Sequence, residues 1–226
     1  MQRRGERVPG VKRLTVPERL GAIATLLSLF FMLYRLVRGH KTDRFDRAVT
    51  KALQQYKEPI ETDLLHLVSW PGFPPQSRTI PWLLPVVWLA FGKKREALFQ
   101  LAGWGTGFIS FLVKRRMKRP RPSKDEFYFA LANIGGTSFP SGHVINYVGI
   151  YGTFGYLVAN NVKSPLLRRL ILLPIALVLA LVGPSRIYLG HHWATDTSAS
   201  YLLGSSYLLA LAGVYNEARD RDAARN

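Results

Sequence analysis

The chain has no cysteine among its 226 residues. Disulfide bonds, a thiol nucleophile and cysteine-based metal sites are therefore excluded. Acidic residues are scarce as well: 14 Asp and Glu stand against 31 Lys and Arg, for a formal net charge of +17. There are only five histidines. No internal repeat or low-complexity tract divides the chain, and its length suits one domain.

What is abundant is apolar sequence, gathered into runs with few charges. Several aromatic residues (Trp70, Trp82, Trp193) sit near run ends, where the membrane–water boundary favours them. A soluble protein this basic would suggest nucleic acid. Here the cations fall between apolar runs, which points instead to phospholipid headgroups or a phosphorylated substrate. No nucleic-acid partner is expected.

Residues 1–19 read as a basic N-terminal tail. Leu20 to Tyr34 is free of charge and continues through Leu36 and Val37. No small-residue cleavage site follows it, so it reads as a retained span rather than a signal peptide. In residues 41–73, Phe45, Val49 and Leu53 recur at helical spacing, as do Ile60, Leu64 and Val68. These predict amphipathic helices lying on the membrane, broken near Lys57-Glu58-Pro59. Five further apolar runs follow, at about 79–92, 97–113, 144–160, 170–183 and 197–214. Gly103 and Gly107, four apart, permit close helix contact. The expected fold is all-α: a six-transmembrane-helix bundle with amphipathic interfacial helices between the first and second spans. A soluble helical bundle is the alternative. The domain proper then covers 20–214, and 215–226 is a polar C-terminal tail. With six spans, both termini share a side, and the loops 114–143 and 184–196 lie together on the other. Lys and Arg divide almost evenly between the two sides, so charge does not orient the chain.

Three stretches at run ends carry the chemistry. Lys114 and Arg121-Pro122 close the third run, in a basic cluster that could equally anchor a helix to headgroups. Pro120 and Pro122 suggest that the helix stops before Arg121. Pro140-Ser141-Gly142-His143 opens the fourth run. Pro and Ser suit an ordinary helix cap. The same N-terminus offers free N–H groups to an anion, with Gly142 admitting a ligand to the backbone. Ser185-Arg186, His192 and Asp196 open the sixth run. His192 and Asp196 are four apart, on one helical face. A carboxylate bonded to one imidazole nitrogen fixes the tautomer and leaves the other nitrogen to attack. His191 is five from Asp196, roughly 140° away around a helix. His40 and His66 read as interfacial or packing residues. A two-histidine metal site would need a third ligand, and Asp196 is the only evident one. The nearby cations would repel a divalent metal, so no metal or other cofactor is expected.

Taken together, the stretches resemble the type 2 phosphatidic acid phosphatase (PAP2) superfamily, with its pattern K-x6-RP, PSGH and SR-x5-H-x3-D. Every specified position is matched, and the resemblance spans 114–196 by motif. It implies a metal-independent phosphatase acting on a lipid phosphate: phosphatidate, phosphatidylglycerol phosphate or undecaprenyl diphosphate. It assigns attack to His192, orientation to Asp196 and protonation of the leaving oxygen to His143. Lys114, Arg121, Ser141, Gly142 and Arg186 would hold the phosphate. It also implies a bacterial inner (plasma) membrane location with an extracytoplasmic site. Residues 41–78 and 123–139 are expected to select the lipid. Vanadium haloperoxidases share the oxyanion pocket but are soluble. A non-catalytic lipid-binding or transport protein on the same fold is the other alternative.

Overall fold

A computed structural model describes residues 13–55, 58–123, 125–128 and 135–225. Most of the basic tail, Lys57 and part of the 123–139 segment lie outside these residues. Secondary structure among the described residues is helical throughout. The elements are α1 (Val16–Arg38), α2 (Asp43–Leu53), α3 (Pro59–Ser69), a 3-10 turn (Trp70–Gly72), α4 (Gln76–Ala90), α5 (Lys94–Ala102), α6 (Gly105–Arg116), α7 (Gly142–Asn161), α8 (Pro165–Tyr188) and α9 (Ala194–Arg225).

Local chemistry sets several of these boundaries. At the start of α1, the Thr15 hydroxyl accepts the Glu18 amide, and Glu18 returns a bond to the Thr15 amide at 2.8 Å. This reciprocal box, with Pro17 in the first turn, satisfies N–H groups that have no partner within the helix. Ser164 caps α8 without the reciprocal bond, its hydroxyl accepting the Leu167 amide at 3.3 Å. At its far end α9 runs to Arg225, so residues 215–225 continue the helix.

The third apolar run forms two helices instead of one. The break lies at Gly103-Trp104, and its cause is tertiary. The Thr106 hydroxyl donates to the Gly103 carbonyl at 3.0 Å. A methyl on Gly103 would lie 2.6 Å from the Gly149 carbonyl of α7. Two backbones meet here, as only glycine allows, and a local hydroxyl competes for the helical carbonyl. The expected close approach at Gly103 and Gly107 is present, with Asn146 of α7 facing Gly107.

α7 and α9 form the centre of the bundle. α1 packs along α9, and α8 along α7. Val144, Ile145, Val182 and Ala199 are fully buried between them. Small residues again set the spacing: a methyl on Gly204 would reach Val148 at 3.0 Å. The outer surface is strongly apolar. Phe31, Trp82, Val86, Phe108, Phe111, Leu170 and Leu173 are all more than half exposed. By length and composition, α1 and α8 are the two described helices able to cross a membrane.

Candidate active site

The three sequence stretches meet at one end of the bundle. α6 stops at Arg116, so Lys114 stands on its last turn and Arg121 on the loop beyond. They converge on the same carbonyl: Lys114 Nζ donates to Thr137 O at 2.9 Å, and Arg121 Nη2 reaches it at 3.4 Å. Arg121 Nη1 donates to the His191 carbonyl at 2.6 Å and lies 3.2 Å from His192 Nε2. Arg186 comes from the last turn of α8 and is 1% exposed. It donates to Ser69 Oγ at 3.2 Å, contacts His191 Nδ1, and lies over the Phe73 ring at 5.0 Å.

Ser141 precedes α7 in the N-cap position but does not cap it. Its hydroxyl is buried and without a partner. The amides of the first turn of α7 are therefore not occupied by their own cap. His143, one turn in, packs its ring edge-on against Phe73 at 4.9 Å, and its Nε2 is also unpartnered. Gly142 and His143 line a cavity of about 330 Å³ with Pro71, Gly72, Asn146 and Tyr151. The buried Nε atoms of Arg121 and Arg186 lack partners too. Buried polar atoms without partners are rare, and a cluster of them calls for a ligand, ion or water.

His192 and Asp196 lie close together, but not on one helical face. The loop after α8 carries His192, and the first turn of α9 carries Asp196. His192 Nδ1 faces Asp196 Oδ2 at 3.6 Å, beyond hydrogen-bond distance, and has no hydrogen-bond partner. Asp196 Oδ2 accepts the Trp193 amide at 2.9 Å. The rival His191 turns its Nδ1 to Arg186 instead. Burial holds the His192 imidazole well below its ordinary pKa, and Arg186, Arg121 and Lys114 add to this. Burial likewise lowers Arg121. For Arg119 burial is outweighed by Asp196 and Asp46, and its pKa rises.

All eight residues singled out in the motifs thus lie in or beside one cluster. Sequence reasoning missed others. Ser69, with no exposed surface, bonds Ser185 Oγ at 2.6 Å and so supports Arg186. Asp46 of α2 and Arg119 form a second buried cluster against Asp196. A clue was available in α2. Phe45, on its apolar stripe, is 58% exposed, whereas Asp46 and Thr50, four apart, are buried.

A helical bundle that gathers lysine, arginines and a His–Asp pair beside unpartnered buried polar atoms offers donors of the kind an oxyanion takes. The chain belongs to the PAP2 superfamily, whose profile matches residues 96–220. It is similar to phosphatidylglycerophosphatase B of Bacillus subtilis (strain 168), at 24% identity over 190 residues, covering 80% of this chain and 88% of that protein. It also resembles a solved structure described as the first transmembrane PAP2 type phosphatidylglycerolphosphate phosphatase from Bacillus subtilis. The TM-score there is 0.74 at 23% identity, covering 87% of this chain and 96% of that one.

Proposed function

We propose that the chain is an integral-membrane lipid phosphatase that works without a metal, through a phosphohistidine. The observation that carries this reading is the set of unpartnered buried groups: Ser141 Oγ, His143 Nε2 and the Nε atoms of Arg121 and Arg186. They suit an anion with several oxygens. A tetrahedral phosphate would take Lys114, Arg121 and Arg186 as cations, with the Ser141 hydroxyl and the first amides of α7, opened by Gly142, as neutral donors.

His192, neutral because its pKa is depressed, attacks phosphorus through Nε2. Asp196 faces Nδ1 and offsets the charge that the ring gains as the P–N bond forms. The ester P–O bond breaks on the opposite side, and His143 gives its proton to the departing oxygen. The phosphate's own negative charge lets His143 hold that proton among the arginines. Water then attacks phosphorus, His143 takes its proton, and the P–N bond breaks to release phosphate. The cations act chiefly on the charge of the five-coordinate state.

The apolar outer surface supports a bilayer setting. α1 and α8 would cross as single spans. α4, α5 with α6, α7 and α9 would complete six, with α2 and α3 at the interface. The site would face the extracytoplasmic side of a bacterial inner membrane, as the family resemblance implies. Among phosphatidate, phosphatidylglycerol phosphate and undecaprenyl diphosphate, the name of the Bacillus relative favours phosphatidylglycerol phosphate.

Phosphate release by purified protein in detergent with EDTA tests this reading, comparing wild type with His192→Ala on the three lipids. Activity in EDTA that the substitution abolishes supports it. Activity that needs added metal, or survives in His192→Ala, refutes the mechanism.

A further inference from the structure

The motif residues leave a second buried charge cluster unexplained. It starts at Asp46, which is 1% exposed on the inner face of α2. One oxygen of Asp46 accepts the Thr195 amide at 2.9 Å. The other accepts the Thr195 hydroxyl at 2.8 Å and Arg119 Nη2 at 2.6 Å. Arg119 Nη1 then donates to Asp196 Oδ1 at 2.7 Å and to Thr195 Oγ1 at 2.8 Å. The remaining Asp196 oxygen holds the Trp193 amide and faces His192 Nδ1. Bonded contacts therefore run from α2 to the carboxylate beside the imidazole.

We propose that Asp46 and Arg119 are positioning residues for the His192–Asp196 pair, with Asp46 serving from α2 as a tertiary cap on the first turn of α9. The inference rests on the reading of His192 as nucleophile given above. Asp46 occupies an amide at the start of α9 that no local side chain takes. With its planar fork Arg119 spans carboxylates on two helices, Asp46 and, at 3.8 Å, Asp43 on α2 and Asp196 on α9, in a fixed geometry that an ammonium does not impose. Its guanidinium also lies over the Trp193 ring at 5.6 Å, and Trp193 Nε1 donates to the Pro120 carbonyl at 2.9 Å. The loop from 119 to 120 is thus locked to the residues between His192 and Asp196. With one carboxylate oxygen held by Arg119 and the other by the Trp193 amide, the Asp196 plane is fixed. The angle it presents to His192 is fixed with it.

The arrangement also sets charge. His192 is faced by Arg186 from α8, Lys114 from α6, Arg121 from the following loop, His143 from α7 and Asp196 from α9. Arg119 offsets part of the Asp196 charge, and Asp46 offsets part of Arg119. Removing Arg119 leaves Asp196 freer to hold a proton on His192. Neutralising Asp46 does the reverse. A simple structural clamp would not produce these opposite signs.

The test compares wild type, His192→Ala, Arg119→Lys, Arg119→Gln and Asp46→Asn as purified full-length proteins in detergent. It records kcat, KM, the acid limb of the pH–rate profile and the thermal midpoint. Arg119→Lys is expected to lower kcat by up to about a hundredfold, as a small misplacement of a reacting group does, with KM within about twofold. The acid limb should move to higher pH in Arg119→Gln and to lower pH in Asp46→Asn. Altered midpoints with kcat and acid limb unchanged per folded molecule, in a wild type that is active and a His192→Ala that is not, overturn this inference alone. A wild type without phosphatase activity overturns the underlying reading and this inference with it. Should Arg119→Gln not fold, Asp46→Asn decides the matter, since it keeps an acceptor oxygen for the Thr195 amide.

Discussion

Gly72 touches the imidazole of His143 so closely that a methyl group on its Cα would lie 2.6 Å from Nε2. The 3-10 turn between α3 and α4 therefore forms one wall of the proposed acid. Gly72→Ala should push the His143 ring from its seat, because the added carbon meets ring atoms on a side chain already wedged against Phe73. Loss of a general acid commonly costs about 100-fold to 10,000-fold, and a displaced one should cost toward the lower end. The loss should be large for an alkyl phosphate, whose leaving oxygen needs a proton. It should be small for an aryl phosphate with a good leaving group. Equal losses on both esters would remove His143 from the acid role.

The parts of this site that were legible in sequence are those written contiguously. Pro140 to His143 are adjacent, and His192 and Asp196 are four positions apart, on the last loop residues and the first turn of one helix, so short chain separation alone keeps them near each other. Arg119 and Asp46 are separated by 73 positions, and no local pattern links them. Phe45 also drew attention to the apolar stripe of α2, whereas the stripe that matters to the site is polar. The break between α5 and α6 was hidden for a similar reason, since it depends on Gly149 from another helix. Ser141 shows the opposite case. Its residue type suits a cap, and only the folded structure leaves its hydroxyl unpartnered.

The depressed pKa of His192 has a consequence for both rate and stability. Burial and then Arg186, Arg121 and Lys114 disfavour its protonated form, while Asp196 and His143 complete its surroundings. The nucleophile should remain neutral below the usual histidine value of 6.5, so the acid limb of kcat/KM should lie below that pH. The sign for stability follows from proton uptake. A histidine lowered in the folded state binds its proton more readily when the chain unfolds. Its contribution therefore favours folding fully above the unfolded value, and stability falls as pH drops below it. Thermal midpoints in detergent should decline between about pH 7 and pH 5, and His192→Ala should flatten that decline. An acid limb above pH 7 would contradict the depressed value.

Arg121 makes its contacts with a fork: Nη1 serves the His191 carbonyl and approaches His192 Nε2, while Nη2 reaches Thr137. Arg121→Lys preserves the charge and loses that geometry. Turnover should fall by about 100-fold to 1,000-fold, the range for one lost donor in a charge-stabilising pocket. Inhibition by vanadate, a phosphate mimic that can become five-coordinate, should weaken in parallel. A variant with unchanged vanadate inhibition would show that Arg121 does not act on the equatorial oxygens.

The end of the bundle far from the site offers a stability test that leaves chemistry untouched. Tyr215 of α9 is 1% exposed, and its hydroxyl donates to Glu96 Oε1 at 2.8 Å while accepting from Asn161 Nδ2 at 2.9 Å. Glu96 is itself 2% exposed, and its ion pair with Arg95 is long at 3.6 Å. One hydroxyl thus joins the start of α5 and the end of α7 to α9. Tyr215→Phe keeps the ring and its edge-on contact with Phe99 at 5.2 Å but takes a donor from the buried Glu96 carboxylate and an acceptor from the half-buried Asn161 amide, which keeps its bond to the Leu157 carbonyl. Unsatisfied buried groups cost about 1–3 kcal/mol, more when charged. The thermal midpoint should fall, while kcat and KM at a temperature where the protein is folded should match wild type. Replacing Glu96 with Gln in the same background should recover part of the loss, because it removes the buried charge. If the double variant is no more stable than Tyr215→Phe, the carboxylate is not what the hydroxyl stabilises.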